Sequence, residues 1–196
     1  LFPEYYMDDE YAMYKQQKDY VKESSEANQI IIIGDSRAKA GFVPDKLIGD
    51  CYNLALGGAT AIEGYYSLKE YLENHPAPKT LILSYAPMHY MDVDTLWTRS
   101  VYFHTLDTED FFEIVKIAKK YENTENILIE KYPVEYLMYK AYMPNKYATA
   151  LKKAVFVFRY EKTKEKYVQM ENQKGQSYYG TADYSDSFNG EAKVTD

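Results

Sequence analysis

The first half of the chain alternates between polar segments of helical character and short apolar runs. Residues 8–22 carry Tyr11, Tyr14 and Val21 at loosely helical spacing, which predicts an amphipathic entry helix. After a polar break, residues 30–33 are four consecutive isoleucines. A run this short and this rich in β-branched residues is typical of a central parallel strand that is covered on both faces.

Two further apolar runs, residues 51–56 and residues 80–85, predict a second strand and a third buried strand. Between them, Thr60 and Glu63 have the spacing of a capping box, in which each side chain binds a backbone N–H at a helix start. The helix that follows has to end before Pro76, because a proline disfavours helical geometry in the preceding residue.

The alternation of strands and helices predicts an α/β fold with right-handed crossovers and a parallel sheet covered on both faces. Another helix is expected after Asp107, with Phe111 and Phe112 among its inward residues. Three strands are few for such a sheet. We therefore expect a further strand in the later segments, or completion of the sheet by sequence outside this chain.

The composition changes at residue 162, where apolar residues become sparse and short polar residues accumulate. We therefore predict an α/β domain over residues 1–161, which includes the entry helix. Residues 162–196 are predicted to be a polar loop, a lid or a partly disordered tail.

Three loops follow the predicted strands: residues 34–37 (GDSR), residues 57–60 (GGAT) and residues 86–90 (APMHY). In parallel sheets, ligands bind beyond the carboxyl ends of the strands, so these loops are expected to lie together. At a turn from a buried strand into a helix, Ser36 is expected to have the exposure, the rigid support and the free backbone N–H donors that a nucleophilic serine needs. Alternatively, Asp35 and Ser36 only cap the next helix.

The glycine pair Gly57 and Gly58 favours the nucleophile, because a backbone N–H there can approach a bound carbonyl without obstruction by a side chain. Residues 33–37 (IGDSR), the Phe-x-Pro at 42–44 and residues 53–60 (NLALGGAT) together resemble the GDSL/SGNH hydrolase superfamily. The similarity is greatest to its bacterial extracytoplasmic, DltD-like branch, whose members work with membrane acyltransferases on cell-wall or exported polysaccharides.

This resemblance implies a three-layer α/β/α sandwich with a mainly parallel, flavodoxin-like sheet. It makes Ser36 the nucleophile, and the backbone N–H groups of Ser36 and Gly58 the donors to the oxyanion. The candidate substrate-binding residues beside them are Asp35, Arg37, Asn53 and Gly57.

The chain departs from the pattern of the superfamily in two places. The third sequence block supplies an asparagine to the oxyanion hole, but residues 85–89 read YAPMH and contain none. No Asp-x-x-His, the source of the base and its carboxylate, occurs in the 196 residues. His89 is a candidate substitute base or a structural residue. We therefore expect a fold truncated at its C-terminus and a chain that is inactive alone.

Charge and composition limit the other functions. The formal net charge of −7, with no basic stripe, argues against a nucleic-acid partner. The single cysteine excludes an internal disulfide and a multi-cysteine metal site, and we predict neither a metal nor a cofactor. The acidic pair Asp92 and Asp94 has no nearby His or Cys, which is typical of solvated carboxylates.

Two functions remain open at this point. The first is a serine esterase or O-acyltransferase acting on acylated carbohydrate or a cell-wall polymer, with a membrane acyltransferase as partner. The second is a non-catalytic module of the same fold that binds a glycan or a membrane partner through some of its 23 tyrosines. The resemblance implies an extracytoplasmic location, and a membrane anchor upstream of Leu1 fits the same interpretation.

Overall fold

The computed structural model of the protein describes residues 10–90, 95–120, 134–141 and 159–177. The strands are β1 (Ile30–Gly34), β2 (Cys51–Asn53) and β3 (Thr80–Ser84), and the helices are α1 (Tyr11–Glu23), α2 (Ser36–Gly41), α3 (Ala61–Asn74), α4 (Thr108–Lys120), α5 (Val134–Lys140) and α6 (Arg159–Asn172). A π-helical segment spans Leu96–Val101, and short 3-10 turns span Pro44–Lys46 and Pro87–Tyr90. None of the helices in these ranges is both long enough and apolar enough to cross a membrane.

The three strands form one parallel sheet in the order β2-β1-β3. Ile31, in the central strand, is in register with Tyr52 on one side and Leu81 on the other. The α/β class and the parallel sheet are therefore confirmed for the described residues. Because the strands are parallel, their carboxyl ends lie at one edge of the sheet, where the predicted loops begin.

The isoleucines of β1 form the centre of the core, as the sequence predicts. Ile31, Ile32 and Ile33 are all buried and contact apolar residues on both faces of the sheet. The prediction that β3 is equally buried is wrong: Leu81 is 38% exposed and Leu83 62%. Leu81 and Leu83 are two residues apart and so share one face of β3, which the described residues leave partly uncovered.

The capping box at the start of α3 is confirmed. The Thr60 hydroxyl accepts from the Ile62 N–H, and Glu63 Oε2 accepts from the Thr60 N–H at 2.9 Å. Burial raises the pKa of the Glu63 carboxyl, which also accepts a hydrogen bond from the Ser100 hydroxyl. The helix ends at Asn74, before Pro76 as predicted.

The helix expected after Asp107 is α4, but only one of its paired phenylalanines faces the core. Phe111 is fully buried and stacks on Tyr136 of α5, with the ring centroids 4.1 Å apart. Phe112 is 45% exposed, so its predicted inward position is wrong. Adjacent helix positions are separated by about 100° around the axis, so a single buried face does not normally include both.

The predicted boundary at residue 162 falls inside α6, and the prediction of a loop over 162–172 is wrong. Although α6 is mostly polar, it packs on α1: Met170 is 3% exposed, and the Tyr167 hydroxyl donates to Asp19 at 2.7 Å. Beyond α6, the Lys174 carbonyl accepts from the Asn53 N–H at 2.9 Å on the outer side of β2. The predicted tail over 178–196 and the acidic pair at 92 and 94 lie outside the described residues.

Candidate active site

The three loops meet at the carboxyl edge of the sheet. The Leu56 N–H donates to the Gly34 carbonyl at 3.0 Å, and the Asp35 N–H donates to the Ser84 carbonyl at 3.1 Å. Gly34 allows this close packing, because a Cβ there would overlap the Ser84 carbonyl oxygen and the Ala38 methyl group. The sequence predicted this convergence from the alternation of strands and helices, which indicates a parallel sheet.

Asp35 is the polar centre of these loops and is completely buried. Its carboxylate caps α2 by accepting from the Arg37 N–H at 2.9 Å, and it accepts from the Ala86 N–H at 2.8 Å. Burial acts to raise the pKa of Asp35, but the bonds from the Arg37 guanidinium and from these two amides outweigh it and hold the pKa at about 2. Asp35 therefore joins the first and third loops as a carboxylate, and its predicted part in substrate binding stays a prediction.

Ser36 is the first residue of α2 and is exposed. Asp35 is the N-cap, so the Ser36 hydroxyl is not required for that role. Within the described residues, neither this hydroxyl nor the Ser36 N–H has a hydrogen-bond partner. The position therefore combines an accessible hydroxyl with a free amide at the start of a helix, as a serine nucleophile requires.

His89 lies beside the buried carboxylate. Its Nε2 is 3.5 Å from Asp35 Oδ2, within ion-pair distance, and its side chain is 18% exposed. The residue comes from the 3-10 turn after β3, which the bond from the Ala86 N–H to Asp35 holds against α2. The structure thus brings His89 and Asp35 together and places both next to the helix that begins with Ser36.

Arg37 is exposed but does not extend freely into solvent. Its guanidinium folds back onto Asp35, with Nη2 2.7 Å from Oδ2, while 62% of the side chain remains accessible. This ion pair with the buried carboxylate raises the pKa of Arg37. Arg37 can therefore offer an exposed positive face to a ligand while it closes the turn.

Asn53 and Gly57 support the site from within the protein. Asn53 is fully buried: its amide group donates to the Ala38 and Phe42 carbonyls, and its Oδ1 accepts from the Ala55 N–H at 3.0 Å. Gly57 is buried too, and both of its backbone groups are occupied by side chains of α1. Neither presents a free polar group to a ligand in this structure, and their part in substrate binding stays a prediction.

Gly58 differs from Gly57, because it is half-buried and its N–H has no acceptor among the described residues. Its φ of +72° lies in the left-handed region that favours glycine. A Cβ at this position would overlap Nη1 of Arg99. The sequence predicted Gly58 as an oxyanion donor, and the structure adds a guanidinium directly beside it.

Sequence reasoning missed Arg99. It comes from the π-helical segment, 42 residues after Gly57, and its Nη1 lies 3.4 Å from the Gly57 carbonyl oxygen. Glu10, at the start of α1, accepts from Nε at 2.5 Å and from Nη2 at 2.8 Å. No local pattern indicates this contact, although π-helical turns are frequent at functional sites.

Lys39, in the last turn of α2, is a second residue that sequence reasoning missed. It is completely buried, and its amine has no hydrogen-bond partner in the described part of the chain. Burial lowers the pKa of this amine to about 7. Lysines are almost never fully buried unless they are paired, so nothing in the sequence indicated this position.

The chain was compared with models of known protein families, with curated proteins and with solved structures, and none of them matches it. Among the described residues, no three or more His, Cys, Asp or Glu side chains come together as metal ligands. A functional interpretation therefore has to start from the chemistry of Ser36 and the groups around it.

Proposed function

We propose that the protein is a serine esterase or O-acyltransferase of the GDSL/SGNH type, acting on acylated cell-envelope polysaccharide. One observation carries the proposal: the exposed Ser36 begins a helix whose capping residue, Asp35, lies 3.5 Å from His89. A serine hydroxyl becomes a competent nucleophile when a histidine takes its proton and a carboxylate orients that histidine.

In the proposed reaction, Ser36 Oγ attacks the carbonyl carbon of the ester and transfers its proton to His89. Nε2 of His89 faces Asp35, so Nδ1 is the ring nitrogen that accepts this proton. The tetrahedral intermediate collapses to an acyl-serine, and His89 gives the proton to the departing sugar oxygen, which leaves as a hydroxyl. Water, or a hydroxyl of a second carbohydrate, then attacks the acyl-serine while His89 takes its proton. The bond to Ser36 Oγ breaks, His89 returns the proton to Oγ, and the acid or the new ester is released.

The negative oxygen of the intermediate requires hydrogen-bond donors. The N–H groups of Ser36 and Gly58 are free in the described structure and follow adjacent strands of the sheet. We propose that they are the backbone donors of the oxyanion hole. The same assignment predicts a three-layer sandwich around the sheet, an extracytoplasmic location and a membrane acyltransferase as partner.

A fluorophosphonate probe tests this function, because it phosphonylates activated serines. We expect one adduct on Ser36, mapped by mass spectrometry, and none in Ser36→Ala. Ser25→Ala is the matched control, since Ser25 is an exposed serine outside the site. His89→Gln is expected to slow labelling roughly 10²- to 10⁴-fold, the usual contribution of a general base. Equal labelling of Ser36→Ala and the parent would exclude the proposal.

The substrate class is tested by acetate release from an O-acetylated polysaccharide. The chain alone and any longer product of its gene are both assayed, because the sequence predicts that the chain is inactive alone without an Asp-x-x-His. Release that requires Ser36 supports the esterase. Labelling of Ser36 without any release from the polymer points to another acyl substrate.

A second candidate function is a non-catalytic glycan-binding module. It is favoured by one observation: no hydrogen bond joins Ser36 to His89 in the described structure. The exposed rings of Tyr65 and Tyr90 are suited to stacking on sugars. Retention on a cell-wall polysaccharide column that is unchanged by Ser36→Ala and lost in Tyr90→Ala would support this candidate.

A further inference from the structure

The guanidinium of Arg99 occupies the space that a side chain at residue 58 would need. A Cβ on Gly58 would overlap Nη1, and the same nitrogen lies 3.4 Å from the Gly57 carbonyl oxygen. A cation is therefore placed against the backbone that also carries the free N–H of Gly58. The guanidinium and the Gly58 N–H both lie beyond the end of β2, next to the loop that contains Ser36.

Arg99 is held in this position from two directions. Glu10 binds Nε and Nη2 in a bidentate ion pair, which is a geometrically specific arrangement. The neighbouring residue, Ser100, donates to the buried Glu63 at 2.9 Å and so fixes the π-helical segment to the start of α3. Preorganised donors of this kind need little rearrangement when charge develops on a substrate.

The ion pair also determines which ligand the guanidinium can accept. Glu10 uses the edge formed by Nε and Nη2, so Nη1 is the nitrogen directed at the Gly57–Gly58 loop. Nη1 donates one of its two N–H groups to the Gly57 carbonyl oxygen, so one N–H of this nitrogen remains for a single oxygen atom of a ligand. Glu10 also neutralises the charge of Arg99, which suits an oxygen that is neutral in the substrate and becomes negative during the reaction.

We infer that Arg99 Nη1 is a third donor to the oxyanion, in the place of the asparagine that the sequence lacks after β3. The inference rests on the proposed function and makes it more specific. The substrate is an ester that carries no charged group next to the reacting carbonyl. Ser36 and Gly58 supply the backbone donors, and Arg99 supplies the charged one. Glu10 is a positioning residue, which acts through Arg99.

The test compares Arg99→Met and Arg99→Lys with the parent, using a neutral activated ester and the fluorophosphonate probe. We expect Arg99→Met to lower kcat and the labelling rate of Ser36 about 10²-fold with little change in KM, the usual effect of one lost oxyanion donor. Added guanidinium chloride should restore part of the rate in Arg99→Met, whereas tetramethylammonium chloride should not. Lys69→Met is the matched control, because Lys69 is also an ion-paired cation but lies between α3 and α4.

The possible outcomes separate this inference from the proposed function. If Ser36 is not labelled in the parent, the proposed function and the role of Arg99 both fail. If Ser36 is labelled and Arg99→Met reacts at the parental rate, only the role of Arg99 is overturned. Arg99→Met could also lose rate together with a lower melting temperature and without rescue by guanidinium. This result would mean that Arg99 only stabilises the fold, and it would also overturn the inference.

Discussion

Nε2 of His89 lies 3.5 Å from Oδ2 of Asp35, across the gap between the loop after β3 and the loop after β1. Asp35 is fully buried and caps the helix that begins with Ser36, so one carboxylate fixes the position of the serine and lies beside the histidine. This arrangement differs from the Asp-x-x-His of the superfamily that the sequence resembles, because the carboxylate directly precedes the serine in the chain.

Asp35→Asn is expected to destabilise the fold by roughly 2 kcal/mol at pH 7. The folded pKa of about 2 lies below the usual 3.8, so the carboxylate contributes its full stability above pH 3.8 and loses it as the pH falls through 2. Urea unfolding from pH 2 to pH 7 should show the two proteins converging at the acid end. Asp45→Asn, at an exposed ion pair, should differ little from the parent throughout. A constant difference across this pH range would contradict the account of Asp35.

Lys39→Met should stabilise the protein, since it removes a buried amine without a partner. The folded pKa is about 7 and the usual value is 10.5, so the unfolded chain binds more protons between these values and stability rises with pH there. The increase in the free energy of unfolding of Lys39→Met over the parent should be largest below pH 7, on the order of 5 kcal/mol. It should shrink as the pH approaches 10.5. Lys46→Met, at an exposed position, is the control in the same denaturation series. A variant less stable than the parent at pH 6 would show that the amine has a stabilising partner.

Gly58→Ala is expected to destabilise the protein by more than the 1–2 kcal/mol that a left-handed residue ordinarily costs, because the methyl group also overlaps Arg99. Arg99→Ala removes the overlapping guanidinium, so the double variant should lose less stability than the sum of the two single variants. The difference is expected to be a coupling energy of about 0.5–3 kcal/mol in a double-mutant cycle. Gly41→Ala is the matched control, since no atom lies within 4 Å of a Cβ there. Strict additivity of the two substitutions would refute the contact.

Met170→Ala should destabilise the whole domain by about 2–5 kcal/mol, because the side chain is buried between α6 and the core. Val168→Ala, on the exposed side of the same helix, should change stability by less than about 0.5 kcal/mol. The melting temperatures of the two variants, measured by circular dichroism during heating, distinguish these effects. Equal, small effects would mean that α6 does not belong to the folded unit.

The features that the sequence predicts correctly have local causes. A run of four isoleucines strongly favours burial, so the centre of the sheet follows from residues 30–33. The capping box at Thr60 depends on two side chains three residues apart and on nothing beyond them. The convergence of the loops at Asp35 follows from the parallel order of the strands.

The features that the sequence does not predict depend on contacts between distant residues. Leu83 has the same apolar character as the β1 isoleucines, but its exposure depends on which elements cover β3. The contact between Arg99 and Gly58 joins segments 41 residues apart, and the burial of Lys39 opposes the ordinary preference of lysine. The helix α6 has few apolar residues, so its packing through Met170 is not evident from composition.

In the proposed reaction, Ser36 carries the acyl group. The most direct measurement is to mix the protein with an activated ester, quench it in acid within the first turnovers, and map acylated peptides by mass spectrometry. We predict one acyl adduct on Ser36, which is absent in Ser36→Ala and accumulates more slowly in Arg99→Met. Acylation at another residue, or an equal yield of adduct in Ser36→Ala, would contradict it.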